Sequence, residues 1–557
     1  MDTLSGREVV ARCNGLSKYW NKRNTKFKDW YGLIQMKDTL KQKNMESFVG
    51  NDPRSSYNLI LSMLDQRIPH KLPPKDISVD EVIAAAELSK MFDTAWDDVY
   101  CTYRRSGRYW LRDLIGFLIA TGWYSVFATI SLDGTRCISE VWNPATVFPS
   151  WGDDLYECAH IFPISAAQAK RMAARNEWTL KPSGSGKLVI NDLWIKEGEA
   201  IYNTISLDND LVKPMTHETR FHRIPIFTGP VGGLPDTGEL APPGSGDNWK
   251  AEIGQSPLAA NERIYKYWNK WWSFSMQLLR DTAQPRTYEK SRSGTQIVKP
   301  EQWYKRGAHF KMAPEDEIGF IAPPAIPVEL RSAQLDMEAM MQRGGPSWAM
   351  YGNVAGQMTS YVMSQITAST NQISKACHHG VVDCITDIDN FWFDMMKEQH
   401  YKPYGMSVPK NLPDGAKITA SYELRIPGDL VNRATTARML NPGFTLPEEM
   451  IHEELFPEVR NPVEAIAQVR AGLARKHPIN VMISLVQSFR EEAALLRKAK
   501  DKAAAILYER AAERIEAEIT GEGEEAEGAG AARGEPGLVK PDSTTVPPTA
   551  SIPAIPK

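Results

Sequence analysis

The sequence predicts an α+β fold in which long helices alternate with short strands, and three observations carry that reading. Between Tyr124 and about Phe227, ATISLDGTRCISEVW, TVFPSWG, KLVINDLWI and EAIYNTISL are short alternating runs separated by Gly, Pro, Asn and Asp, the pattern of half-buried strands. The stretch LAANERIYKYWNKWWSFSMQLLRDTA then runs without a breaker as far as Pro285. From Thr359 to Gln399, Val362, Ile366, Ile373, Cys377, Val381, Cys384, Ile388, Trp392 and Met395 step by threes, fours and one seven, as one helical face requires.

The elements follow in order. A chain of 557 residues, 42% of them hydrophobic, is long enough for two to four structural regions. Residues 7 to about 45 read as helical and basic, with Val10, Leu16, Trp20, Phe27, Trp30, Tyr31 and Leu33 as an intermittent apolar stripe. A second helix follows the break at Asn51 to Pro53 and ends before Pro69. LIGFLIATGWYSVFATISL, Leu114 to Leu132, is nineteen residues without a charge, the length of a membrane span. Its pattern changes at Gly122 from helical to alternating, so a buried helix followed by a strand is expected and no membrane segment.

GPVGGLPDTGELAPPGSGD is a loop by composition, and Ser256 with Pro257 sets the start of the helix after it. Ile264, Trp268, Trp271, Trp272, Phe274 and Leu278 make a broad apolar face on that helix, which is roughly 40 Å long. A compact block of short strands and turns leads to a helix over 328–343, stopped by Gly344, Gly345 and Pro346. A glycine-rich loop, the helix from near Thr359, a return to β character in KITASYELRIP and a helical stretch to Thr520 complete the order. The tail after it, rich in Gly, Pro, Glu and Ala, is expected to be disordered, and no internal repeat is present.

Composition narrows the function classes. A formal charge of −3 excludes a bulk polycation, so any nucleic-acid role rests on local charge. Cys13, Cys101, Cys137, Cys158, Cys377 and Cys384 lack CxxC spacing and no apolar signal segment opens the chain, which reads as reduced thiols in a cytosolic product. PSGSGKLVI resembles part of a phosphate-binding loop, but Lys181 stands where that loop needs glycine and Leu188 where it needs Ser or Thr, so it reads as a hairpin turn. HETRFH and IHEELF each lack the second histidine of a zinc helix. Cys377 and Cys384 fall on the apolar stripe beside His379 and Asp383, and read as core cysteines. Asp383, Asp387 and Asp394 read as a solvated acidic face, and no G-x-S-x-G is present.

One block carries a charge signal. From Pro285 to Met312, Arg286, Lys290, Arg292, Lys299, Lys305, Arg306 and Lys311 stand against Glu289 and Glu301, a balance of +5, with Tyr288, Trp303, Tyr304 and Phe310 interleaved. Such a surface suits a phosphate backbone or a partner protein.

This order of parts, with IPIFTGPVGG before the first long helix, PRTYEKSRSGTQ after it, DWYGLI at Asp29 to Ile34 and NPATVFPSW at Asn143 to Trp151, resembles that of tailed-bacteriophage portal proteins. The resemblance covers about residues 5 to 520 and implies a portal-like fold. Residues 1–250 would be the wing, 251–284 and 328–343 the two stem helices, and 285–327 the clip. Residues 344–358 would be the tunnel loop, 359–400 a long helix, 401–430 the wing's return strand, 431–520 a helical crown and 521–557 a disordered tail.

The resemblance also implies the function. Subunits would form a homo-oligomeric ring, usually of twelve, at one vertex of the virion capsid, assembled in the host bacterial cytoplasm. Double-stranded DNA would pass through its channel in packaging and ejection without sequence-specific contact. The terminase large subunit, head-tail adaptor proteins, and major capsid and scaffold proteins would be its partners. The tunnel loop would project Arg343, Gly344, Gly345, Trp348, Met350, Tyr351, Asn353 and Gly356 toward the channel, and the basic clip residues would meet adaptor, terminase or DNA. No catalytic residue, metal or cofactor is called for. Two other readings remain open on the residues: another virion structural protein, such as a minor head or core protein, and an enzyme with its site in the α+β part around His217 and His222.

Overall fold

The computed structural model describes residues 4–41, 45–66, 68, 70–71, 79–176, 178, 187–235, 250–283, 286–303, 305, 309, 311–321, 328–351, 360–412, 415–422, 466, 468–469, 471–472, 477–498 and 502–520. The chain divides into two compact units, Met1–Met439 and Leu440–Lys557.

In the first unit two short helices replace the single basic helix expected over 7–45. Helix α1, Gly6–Tyr19, opens on a capping box between Ser5 and Glu8, and α2 runs Asn21–Ile34. Val9, Cys13, Trp20, Phe27, Trp30 and Ile34 turn inward at helical spacing. The helix stops at Ile34 because no buried apolar residue continues the stripe. Met36 takes a left-handed conformation, and Asp38 accepts hydrogen bonds from Leu40 N at 2.9 Å and Ser47 Oγ at 2.6 Å.

Helices α3 (Asp52–Leu64), α4 (Val79–Arg105) and α5 (Trp110–Thr121) follow. The charge-free stretch resolves as expected: Gly122, at φ 67°, ends α5, and β2 (Trp123–Ile130) starts directly after it. A Cβ at Gly122 would stand 2.3 Å from the backbone carbon of Gln255, so the turn needs glycine for both its φ and its close approach. Among the described residues no helix is long and apolar enough to cross a membrane.

Strand β2 is the middle of a three-stranded sheet, between β3 (Cys137–Val141) and β9 (Ile226–Pro230). A five-stranded antiparallel meander runs β4 (Val147–Trp151), β5 (Leu155–Ser165), β6 (Lys187–Glu197), β7 (Ala200–Leu207) and β8 (Asp210–His217), with α6 (Ala166–Asn176) between β5 and β6. These are the strands the alternating runs predict.

The later helices are α7 (Glu262–Ala283), α8 (Val328–Arg343) and α9 (Ser360–Gln399). Helix α7 starts later than Ser256 and Pro257 suggest. The Ser256 hydroxyl is buried, donating to Ile119 O at 2.5 Å and accepting from Leu258 N at 3.1 Å, and a tight turn over Ala259–Asn261 precedes the helix. Between α7 and α8 lies the hairpin of β10 (Thr287–Lys290) and β11 (Glu317–Phe320). The expected return strand is two residues, β12 (Thr419–Ala420), paired with β1 (His70–Lys71); residues 423–430 lie outside the described residues.

The main core joins α3, α4, α5 and the three-stranded sheet to α9, which fills it with Cys377, Val381, Cys384, Ile388, Phe391, Trp392 and Met395. A second core joins α1 and α2 to the meander through Trp20, Phe27, Trp123, Phe148 and Leu193. In the second unit, helices Pro478–Lys498 and Lys502–Thr520 form a hairpin tied by Arg490–Glu516 at 2.5 Å and Arg497–Glu509 at 2.6 Å. The remaining pieces of the expected crown over 431–465 and the tail after 520 lie outside the described residues.

Candidate functional site: the glycine-rich loop and the helices that hold it

Helices α7 and α8 pack side by side, and the joint between them is built by Asn261. Its Nδ2 donates to Met341 O at 2.8 Å, satisfying a carbonyl at the end of α8. Gly344 lies against this amide: a Cβ there would come within 2.2 Å of Asn261 Oδ1. Neither Gly344 nor Gly345 has a positive φ. Both glycines pack closely on Asn261.

The loop root is seated. After Pro346 the chain makes a tight turn over Trp348–Tyr351, and the Tyr351 hydroxyl stands 3.1 Å from Ser56 Oγ on α3. Gly345, Pro346, Trp348 and Tyr351 line a cavity of about 340 Å³ with Ser56 and Tyr265. Trp348 and Tyr351 are 37% and 42% exposed, so both remain partly open to solvent. Arg343 lines the neighbouring cleft with Lys26, Arg263 and Glu262. Burial opposes the charge on Glu262, but hydrogen bonds from Lys266 at 2.7 Å and Trp30 at 3.0 Å, with Lys26 at 3.2 Å, hold its carboxyl below the usual range. Met350 is half-buried; Asn353 and Gly356 lie outside the described residues.

Helix α7 has two different faces. Tyr265 and Trp268 are buried, and Trp272 packs on Phe48 with ring centroids 5.6 Å apart. Trp268 thus finds its cover within this chain. The exposed apolar side chains of α7 are Tyr267 at 63%, Phe274 at 62%, Leu279 at 56% and Met276 at 40%, whereas Trp271 and Leu278 are half-buried, Trp271 against Trp268 and Trp272 with ring centroids 6.1 and 5.1 Å away.

The basic block is less basic than its first part suggests. Beyond Met312, Glu315, Asp316 and Glu317 bring the balance over 285–321 from +5 to +2. The hairpin directs these carboxylates at the cations: Arg292 meets Glu315 at 2.9 Å and Lys290 lies 3.9 Å from Glu317. Tyr288 donates to Glu317 at 2.9 Å, and the Glu289 carboxylate accepts from the backbone of Ile297 at 2.8 Å. Arg286, Lys299, Lys305 and Lys311 are exposed; Arg306 lies outside the described residues.

The weaker motifs resolve as structure. His217 ends β8 against Tyr202, and His222 lies 3.9 Å from Asp394 and 3.8 Å from Glu398; IHEELF falls outside the described residues. Burial pushes the Cys377 thiol up to about 12 and that of Cys384 well above its usual value, which keeps both protonated in the core. Among the described residues no group of three or more His, Cys, Asp or Glu is placed to hold a metal. The residue missed in the sequence is Asp389. It is fully buried and bonded to His70 Nδ1 at 2.6 Å and Trp96 Nε1 at 2.7 Å. Its position four after Ile385 and three before Trp392 puts a carboxylate on an apolar stripe, which is a legible anomaly.

No family model and no curated protein matches the chain. It is loosely similar to chains of three solved structures. A chain of the "Virion of native gene transfer agent (GTA) particle" has 13% identity and a TM-score of 0.40, over 77% of this chain and 93% of that one. A chain of the "Neck of native GTA particle computed with C12 symmetry" has 12% identity and a TM-score of 0.39, over 73% and 89%. A chain of the "Neck of empty GTA particle computed with C6 symmetry" has 12% identity and a TM-score of 0.38, over 73% and 90%.

Proposed function

We propose that this chain is a virion structural protein, and specifically the subunit of a portal ring through which duplex DNA is packaged and ejected. The observation that carries the reading is the α7–α8 pair. One side of α7 is sealed against its own chain, while Tyr267, Phe274, Met276 and Leu279 stand exposed along its length. A monomer gains nothing from such a surface, whereas neighbouring copies around an axis would cover it.

In this reading 344–358 is the channel loop. Its root is fixed by Asn261 and Ser56, and Trp348, Met350 and Tyr351 present apolar bulk that touches DNA without reading bases. The mixed-charge hairpin 285–321 suits the clip, since paired charges favour protein partners, an adaptor or the terminase, over a bare polyanion.

Negative-stain electron microscopy with mass photometry on the purified full chain tests this. Rings with a hole wide enough for duplex DNA are expected; monomers or dimers at assembly-competent concentration would end the portal reading.

A further inference from the structure

Charge is distributed unevenly along this chain. Residues 1–43 hold ten Lys and Arg against four Asp and Glu, a balance of +6, while the other 514 residues hold 55 against 64, or −9. The basic segment is the helical pair α1–α2, not the hairpin between α7 and α8.

The fold separates its cations into two sets. The first packs against or pairs with the body of the chain, Arg12 and Lys26 with side chains still 38% and 43% exposed. Arg23 is 1% exposed, stands over the rings of Trp20 at 4.9 Å and Trp123 at 4.6 Å, and donates to Val147 O at 2.8 Å. Arg12 pairs with Glu157, and Lys26 with Glu262 at 3.2 Å. The second set is Lys18, Lys22 and Lys28, all on the outer surface. Backbone hydrogen bonds from Trp20 N to Leu16 O and from Asn24 N to Trp20 O, at 3.2 and 3.1 Å, carry the helical path through the joint. Lys18, Lys22 and Thr25 therefore share one outer face, with Lys28 at its edge. Tyr19 is 47% exposed beside them, and Lys250 stands 3.6 Å over its ring.

The acidic groups of the segment are largely engaged: Glu8 in the capping box and Asp38 with Ser47 and Leu40. Asp29 is exposed on the same face, four residues after Thr25 and seven after Lys22, and leaves Lys18, Lys22 and Lys28 a local balance of +2; Asp2 lies outside the described residues. At physiological ionic strength a charge is felt over about 8 Å, so the −9 of the remaining chain does not cancel a local stripe.

We infer that the outer face of α1–α2 is a sequence-independent docking surface for the phosphate backbone of duplex DNA. Lysine ammonium groups bind phosphates as point charges without the forked geometry that selects a base, and a firmly seated helical pair holds them in a row. The inference stands independently of the ring reading, because the surface is complete in one subunit.

Fluorescence anisotropy of a labelled duplex of about 30 base pairs, titrated with the full chain from about 50 to about 200 mM salt, tests it. K18A/K22A/K28A is expected to weaken binding at least tenfold and to flatten the log–log salt slope by about 2.7, since each phosphate left without its lysine removes about 0.9. K18R/K22R/K28R should bind as the parent does, and K305A/K311A, on the other basic block, should be unaffected. Three results would overturn the inference: no duplex binding by the parent at the lowest salt, loss of binding in K305A/K311A but not in the triple alanine variant, or binding of an acidic glutamate-rich peptide with no binding of DNA.

Discussion

His160 lies flat between two aromatic rings, Trp142 with centroids 3.9 Å away and Phe162 at 4.4 Å, and burial pushes its imidazole down to about 3. The unfolded chain titrates this group near 6.5, so between about 6.5 and about 3 the unfolded state binds the proton and the native state does not. Stability attributable to His160 is therefore complete above about pH 6.5 and is lost progressively as pH falls toward 3. His160→Phe keeps the stack and removes the titration. Urea midpoints at about pH 7, 5 and 4 should fall less steeply in that variant, and parallel slopes would show that other groups set the acid sensitivity. Arg23 is a similar case of a polar group in an apolar place, pushed down to about 9 by burial. Neither environment was legible in the sequence, since the rings around Arg23 come from positions as far apart as Trp20 and Phe148.

At the scale of elements, α9 was readable almost to the residue because its apolar steps are regular and a single face is buried. The α5–β2 boundary was readable because Gly122 marks both a helix end and a change of period. Helix α4 shows Leu88, Met91, Phe92, Ala95, Trp96 and Val99 at steps of three and four, a signal present in the sequence but absent from the elements expected of it. The charge of the hairpin was misjudged because its acids follow Met312, and only pairing of β10 with β11 brings them onto the cations. Within the candidate site, the seat of the loop was illegible for a related reason: Asn261 meets Gly344 across 83 positions. The exposed apolar side chains of α7 yield their own prediction. Tyr267→Glu with Phe274→Glu should leave circular dichroism and the melting temperature within a few degrees of the parent while reducing the assembly to monomers by mass photometry. Persistence of the same oligomer would show that α7 does not form the lateral contact.

For the whole molecule, the relation between loop and ring can be separated. Removing 352–358 leaves Trp348, Tyr351 and the Asn261 joint in place. Assembly should be unchanged by electron microscopy, while the mass of DNA retained per particle should fall severalfold. Loss of the ring would instead show the loop to be an assembly element.

The main core also has a consequence for how the chain is made. Residues 60 to 231 supply most of its walls, but the residues that fill it lie on α9, between Cys377 and Met396, and β1 finds its partner only at Thr419. At about 5 to 20 residues per second, synthesis leaves that cavity open for about 10 to 30 s after its last wall emerges. For that interval Trp96, Ile119 and Phe227 face water, so the nascent chain passes through an aggregation-prone stage whose duration is set by translation rate rather than by the finished protein's stability.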